Sequence, residues 1–349
     1  MTTNDGANRP RFRGQPGFFE IWFLVLFEPS NGRAYWLRYT TFSPALSAGG
    51  DFRATVWAAA FDAHGTAPAK FVKAVYPESA YQALPAGIRI GNSELGNGHC
   101  RGEVRGDHTF AWELTFSTAS PPRHRGPWFM HHRMPLPTRV IHVHDSVQFR
   151  GHIIVDGERR AVEGAPGLQK HIWGTRRVEE LLWLYCAAFR EDPDARVEAT
   201  AVRARRELSA GVEMPWLTPI ALRTAGDDLG FHGTLHTLRN DVVVERPCAL
   251  TFRGGGLLRK LELRAACDPR TLAGYVYRDP SGWDAYVAQS DVASCEADLF
   301  SRAHPFARWA KERSLTAEHA AALEFHSRTP IAGVRYVPWD IQEPKGKSR

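Results

Sequence analysis

Glu20 stands inside FFEIWFLVLFE, a stretch from Phe18 to Glu28 that is otherwise apolar up to its last residue. In an extended chain it shares a face with Phe18, Trp22, Leu24 and Leu26. A carboxyl group among aromatic rings has its charged form disfavoured, so it can stay protonated and donate a proton. Protonating an alkene creates a carbocation, which nearby Trp and Tyr faces stabilise by about 1–2 kcal/mol each when water is excluded. The opposing reading is that Glu20 pairs with an arginine or a tyrosine and only fixes the fold. His171 and Trp173 also share a face when extended, as do Trp183 and Tyr185. Imidazole, indole N–H and phenol can together orient a polar head or relay a proton. They can equally pack as large aromatics with satisfied polar tips at a domain junction.

A second constellation is rich in histidine. His142-Val143-His144 lies near His124, His131, His132 and His152. On a regular strand, two imidazoles at this spacing face one side, as a strand-borne metal site requires. No glutamate follows at the offset such a site uses, and Asp145 alternates to the other face. His142 and His144 are the ligands a metal would take, but a surface or lumen-lining pair fits the pattern better. No cofactor is expected. There is no GxGxxG after a strand, no P-loop and no GxSxG elbow, and Gly254-Gly255-Gly256 reads as a turn. These absences argue against nucleotide chemistry.

The elements that must position these groups are strands. Phe18–Phe27 and Arg33–Phe42 are joined by Pro29-Ser30-Asn31-Gly32, a hairpin signal. If Glu28 pairs with Arg33, then Tyr35, Leu37, Tyr39 and Thr41 share the face of Glu20, whereas a slip of one residue would exchange the faces. Short β-type runs separated by Gly, Pro or Asp-rich turns continue to Ser294–Phe300. One helix is expected near Pro305–Arg313, and Thr316–Leu323 suits either a helical turn or the lead into a strand. The chain therefore reads as all-β, built from antiparallel barrels or sandwiches.

Its 349 residues suit two domains. Residues 1–16 and 343–349 are polar and expected to be loose. The net charge of +6 and the sequence pI near 9.2 come from arginines spread along the chain, not from a stripe or a nucleic-acid motif, so no nucleic-acid partner is expected. No apolar run is long enough to span a bilayer and no secretory signal is visible, so a cytoplasmic protein is expected, with transient membrane contact left open. Oligomeric state is not legible. The 5 scattered cysteines contain no CxxC pair and read as reduced thiols.

Glu20-Ile21-Trp22-Phe23, then Gly32, then Tyr39–Ser43 resembles the opening hairpin of the AttH-like proteins. Ala58–Asp62, Gly151–Gly157, His171-Ile172-Trp173-Gly174, Trp183-Leu184-Tyr185 and Tyr277–Gly282 are similar to later motifs of that superfamily, in the same order. The superfamily includes carotenoid 1,2-hydratases (hydroxyneurosporene synthase) and tocopherol cyclases, and the resemblance is clearest over residues 17–190. It implies two tandem lipocalin-like (calycin-like) barrels at 17–175 and 176–342, and an apolar isoprenoid- or lipid-like ligand. Where the pattern has an acid this chain has Lys170, and Ile21 replaces an aromatic. Cys186, Ala187 and Ala188 follow Tyr185, where the hydratases carry a proton-donating aspartate; the nearest acids are Glu179, Glu180 and Glu191.

The expectation is acid-assisted hydration or cyclisation of an isoprenoid double bond. Glu20 or His171 would donate the proton, and Trp22, Tyr35, Tyr39, Trp173, Trp183 and Tyr185 would surround the ligand. The alternatives are a non-catalytic carrier of apolar molecules and a metal-dependent enzyme using His142 and His144.

Overall fold

A computed structural model of the chain describes residues 4–65, 68–117, 121–125, 133–134, 136–204, 207–209, 211–246 and 248–340. His131, His132 and the tail 343–349 lie outside the described residues. The first sheet contains β1 (Phe18–Glu28), β2 (Arg33–Ser43), β3 (Arg53–Asp62), β4 (Lys70–Tyr76), β5 (Tyr81–Leu84), β6 (Gly87–Ile90), β7 (Ser93–Gly96), β8 (His99–Arg105), β9 (Thr109–Phe116), β10 (Thr138–Val155) and β11 (Glu158–Gly174). Its order is β4-β3-β2-β1-β11-β10-β9-β8-β7-β6-β5, antiparallel throughout. The chain then enters β12 (Glu180–Ala187) and β13 (Arg196–Arg203), followed by a separate small hairpin of β14 (Glu207–Ser209) and β15 (Val212–Glu213). The second sheet continues with β16 (Ile220–Arg223), β17 (Asp228–Phe231), β18 (Asp241–Arg246), β19 (Ala249–Gly255), β20 (Arg259–Ala266), β21 (Ala273–Arg278), β22 (Asp284–Ser301), β23 (Ala310–Ser327) and β24 (Tyr336–Val337). Its main path is β17-β16-β13-β12-β23-β22-β20-β19-β18, with β21 also on β22 and β24 parallel to β21. The protein is all-β, with two large antiparallel sheets.

The apolar run of β1 is explained by burial on both faces. Trp22, Leu24 and Leu26 point into the first sheet's core with Tyr35, Leu37 and Tyr39 of β2. Phe19, Ile21, Phe23, Val25 and Phe27 point out of it, into a second core shared with the other sheet. There Phe23 meets Trp183 edge-on at 5.7 Å, Trp36 meets Tyr275 at 5.7 Å, and Phe42 meets Trp339 at 4.9 Å. The hairpin register is Glu28↔Arg33, Trp22↔Tyr39 and Glu20↔Thr41, which puts Glu20 on the inner face. Gly32 makes the turn possible: it sits at φ 60, and a Cβ there would lie 2.6 Å from the His64 ring.

Two expectations fail. The stretch Pro305–Arg313 is not helical, because Ala310 onward joins β23 and pairs with β22. A long strand partner outweighs the local helix preference of Ala, Lys and Glu. The loose N-terminus expected over residues 1–16 is not loose from residue 7 on, where Ala7, Asn8 and Phe12 are buried. Polar residues that looked unattached find partners in the first sheet, as described below.

Lys73 on β4 links the sheets at cost to itself. It is buried, its Nζ donates to the Trp339 carbonyl at 2.5 Å, and it lies over the rings of Trp57 and Trp339 at 4.6 and 4.4 Å. Burial, aided by Arg53, pushes its pKa down to about 7 from 10.5. Between those values the unfolded lysine binds a proton that the folded one does not, so this group makes stability rise with pH across that window. Lys73→Met is expected to raise stability at neutral pH and to remove a slope of up to about 1.4 kcal/mol per pH unit. Urea unfolding at a series of pH values checks both.

Candidate functional site

Glu20 and His171 meet, as their strand positions require, but they hold the N-terminal segment. Glu20 is fully buried; its Oε1 accepts from the Arg11 backbone N–H at 2.6 Å and its Oε2 from that of Phe12 at 3.0 Å. His171 Nε2 lies 2.7 Å from Glu20 Oε1, and its Nδ1 lies 2.8 Å from the Ala7 carbonyl. A carbonyl only accepts, so Nδ1 carries a proton. Trp22 stacks on His171 at 4.5 Å and donates its indole N–H to the Asn8 carbonyl at 3.1 Å. The Gln169 amide donates to Asn8 Oδ1 at 2.8 Å, and Asn8 Nδ2 donates to the Ala86 carbonyl at 2.7 Å. Trp173 packs on His171 at 4.8 Å, with the Arg11 guanidinium over its ring at 5.2 Å. Both oxygens of Glu20 and both ring nitrogens of His171 are thus engaged by protein groups, which makes this assembly a clasp.

Trp22, Tyr35 and Tyr39, expected around a lumen ligand, are core residues of the first sheet. Tyr35 is buried and its hydroxyl accepts from Arg160 at 3.1 Å. The Tyr39 hydroxyl accepts from the Trp112 indole at 3.0 Å and faces the Glu94 and Arg101 carbonyls at 3.1 and 3.2 Å. The His142/His144 spacing does not make a chelate, because a β-bulge separates them. His142 pairs with Lys170 but His144 pairs with Gln169, a shift of one residue where two are expected. His142 therefore faces Glu198 on the second sheet, while His144 turns inward against Phe116 at 5.9 Å. Among the described residues no group of three or more His, Cys, Asp or Glu is placed to hold a metal ion.

Between the sheets lie two lobes of open space, of about 220 and 230 Å³. Phe23, Val140, Ile172, Leu181, Val202 and Glu324 line both. The first lobe adds His142, Lys170, Trp183 and Glu198, and the second adds Arg38, Arg177, Tyr277 and His326. Strand alternation produces this wall: residues of β1 and β11 that point out of the first core meet those of β12, β13 and β23 that point toward it.

Glu198 anchors the first lobe. Lys170 Nζ lies 2.5 Å from its Oε1, His142 Nε2 lies 2.7 Å from its Oε2, and the Trp183 indole donates to Oε1 at 3.0 Å. Burial alone would raise the Glu198 pKa, but His142 and Lys170 outweigh it and hold the carboxyl well below its usual range. Burial lowers the pKa of His142 despite Glu198, so the imidazole stays neutral. With its Nε2–H given to Glu198, His142 keeps an Nδ1 lone pair that is buried and has no partner among the described residues. Trp183 stacks on Tyr185 at 6.2 Å, and Lys170 Nζ sits 3.9 Å over its ring. Tyr185 lies behind the wall, its hydroxyl facing the Asp145 and Gly167 carbonyls at 3.2 and 3.3 Å.

Glu324, on β23 opposite Trp183 of β12, is the other carboxyl of the cavity. Burial raises its pKa; Arg38, with Nη2 at 3.7 Å, and the charges of Lys170 and Arg177 oppose this without cancelling it. Arg38 is committed elsewhere: it donates to Gln289 Oε1 at 2.6 Å and to the Tyr277 hydroxyl, and it lies 4.2–4.7 Å from the centres of the Phe23, Trp36 and Tyr275 rings. Two carboxyls in one cavity thus have environments that push their pKa values apart, the arrangement that separates acid from anchor.

The comparisons with known proteins agree with this architecture. A protein of Nitrosomonas europaea designated AttH superposes with a TM-score of 0.57 and 11% identity, over 93% of this chain and 95% of that one. The fold is that of the AttH-like proteins. Kievitone hydratase from Nectria haematococca also superposes, with a TM-score of 0.53 and 11% identity, over 93% of this chain and 91% of its own. Two uncharacterised proteins of Mycobacterium tuberculosis, from strains CDC 1551 / Oshkosh and ATCC 25618 / H37Rv, are 25% identical over 300 residues, 85% of this chain and 85% of each relative. No protein-family model matches the chain. Among the described residues no helix is long and apolar enough to cross a membrane.

Trp183 and His142, both singled out in the sequence, line the cavity between the sheets. Sequence reasoning missed Glu198 and Glu324, and it noted Lys170 only as a departure from the acidic pattern. The available signal was the alternation of Glu324 and His326 in LEFHS, which puts two titratable groups on one strand face.

Proposed function

We propose that the cavity between the sheets binds an apolar, isoprenoid-like molecule and adds water across one of its carbon–carbon double bonds. The observation that carries this reading is that Glu324, its pKa raised by burial, and His142, whose buried Nδ1 has no hydrogen-bond partner among the described residues, line one largely apolar cavity. Glu324 gives its proton to one alkene carbon, leaving a cation on the other. A water attacks that carbon and loses its proton to His142 Nδ1. His142 then returns a proton through solvent to Glu324, and the net change is alkene plus water to alcohol. Glu198 orients the imidazole, and Lys170 balances its charge. Walls that present the rings of Phe23 and Trp183 favour the cation. The hydratase named among the structural neighbours lends the reading support of fold kinship. No cofactor enters this chemistry.

Incubation with prenyl-chain alkenes should yield a product heavier than substrate by one water, detected by mass spectrometry. The rate should follow a bell in pH. It falls as pH rises through the Glu324 pKa, which lies above its ordinary 4.5, because the acid loses its proton. It falls as pH drops through the His142 pKa, which lies below its ordinary 6.5, because the base becomes protonated. A profile flat through both regions contradicts these roles.

A carrier is the second reading, favoured by the proximity of Arg38 to Glu324 at 3.7 Å, which would suit a pair that only joins the sheets. It expects the ligand to be recovered unchanged.

A further inference from the structure

The far side of the cavity wall carries a surface that the hydration reading does not use. The helix Thr234–Arg239 turns Thr237 into the first lobe, while Leu235 and Leu238 on the same helix are exposed. Two hairpin tips meet beside it. Leu257 and Leu258 project from the β19–β20 turn, and Phe306, 96% exposed, projects from the β22–β23 turn. Arg302 ties the tips together, its backbone N–H donating to the Leu258 carbonyl at 3.0 Å and its Nε to the Leu257 carbonyl at 2.6 Å. A Cβ on Gly256 would lie 3.6 Å from His236 Nε2, so the helix abuts the first tip.

Single exposed leucines are ordinary; five large apolar side chains from one short helix and two adjoining turns are not. Their setting names the occupant. Arg259 is neutralised by Asp227 at 2.5 Å and Glu312 at 3.3 Å, and Lys311 by Asp298 at 3.0 Å. Among the described residues, no carboxylate forms an ion pair with Arg239, Lys260, Arg302 or Arg308. Lys260 and Arg302 instead lie over the Trp309 ring, at 5.2 and 4.3 Å, which leaves their charge intact. Protruding apolar tips ringed by uncompensated cations match an acyl boundary beneath anionic headgroups.

We propose that this end of the second sheet docks on an anionic lipid bilayer, with Leu257, Leu258 and Phe306 entering the interface and Arg239, Lys260, Arg302 and Arg308 meeting the headgroups. The helix Thr234–Arg239 then separates bilayer from cavity, giving an apolar ligand a route that avoids water. The inference stands whether or not the cavity is catalytic.

The test is co-sedimentation of the full chain with vesicles of phosphatidylcholine, alone or with added phosphatidylserine. The chain should pellet with the anionic vesicles, weakly or not at all with the neutral ones, and less as salt rises. Phe306→Ser and Arg308→Glu sit at exposed turn positions and should each weaken binding by about fivefold or more while circular dichroism is unchanged. Failure to pellet with anionic vesicles, or pelleting unaffected by both substitutions, overturns the proposal. So does self-association without vesicles that Phe306→Ser abolishes, since the surface would then join two copies of the chain.

Discussion

Glu324→Gln is expected to lower turnover by roughly a hundred- to ten-thousandfold, the range for loss of a positioned general acid, with substrate affinity nearly unchanged. The amide keeps the shape of the carboxyl and cannot supply its proton. The fold should survive because Arg38 does not depend on Glu324: Gln289, the Tyr277 hydroxyl and several aromatic faces hold it. The residual activity should also lose the alkaline limb of the pH profile, since the group that produces it is gone. A variant that merely loosened the sheets would change affinity along with rate and leave that limb in place. Steady-state kinetics across pH separates the two.

Glu20→Ala has the largest expected effect on stability, about 3–5 kcal/mol. It strips the acceptor from the backbone N–H groups of Arg11 and Phe12 and from the His171 imidazole, at a point where Glu20 and His171 are both fully buried. Urea unfolding measures the loss. Faster tryptic cleavage after Arg11 and Arg13 under native conditions would show that the N-terminal segment has come away. Protein that remains folded should still turn over substrate. If Glu20 were the proton donor, the gentler Glu20→Gln would instead remove activity and leave stability almost intact.

The contrast between these two glutamates shows what the sequence could and could not reveal. A carboxylate in FFEIWFLVLFE was rightly read as buried, because period-2 alternation and the Pro-Ser-Asn-Gly turn fix the hairpin register. Its backbone partners were hidden because they come from Arg11 and Phe12, in a segment whose composition resembles a loose tail. Composition reports mean polarity, not whether each polar group meets a complement. The split of His142 from His144 was illegible for a different reason: a one-residue bulge reverses which face a strand shows, and nothing in HVH marks it.

Glu324 was obscured by helix-prone AEHAAALEF, where pairing with β12 and β22 decides the outcome. Lys170 is the instructive departure. Once Glu198 is known to sit 2.5 Å from it, a lysine at a position expected to be acidic becomes the counter-charge that keeps a buried carboxylate ionised. The all-β architecture was legible because it depends on strand periodicity and turns, which are local. The cavity was not, because it arises where the outward face of one sheet meets another, and no local pattern encodes that meeting.

The most direct measurement is incubation of the protein with a prenyl-chain alkene in deuterated water, with mass spectrometry of what is recovered. The account predicts an alcohol carrying deuterium on the carbon next to the new hydroxyl-bearing one, formed by the wild type and not by Glu324→Gln. Alkene that is bound by the protein yet recovered intact and unlabelled, across ligands that fit the cavity, would contradict it.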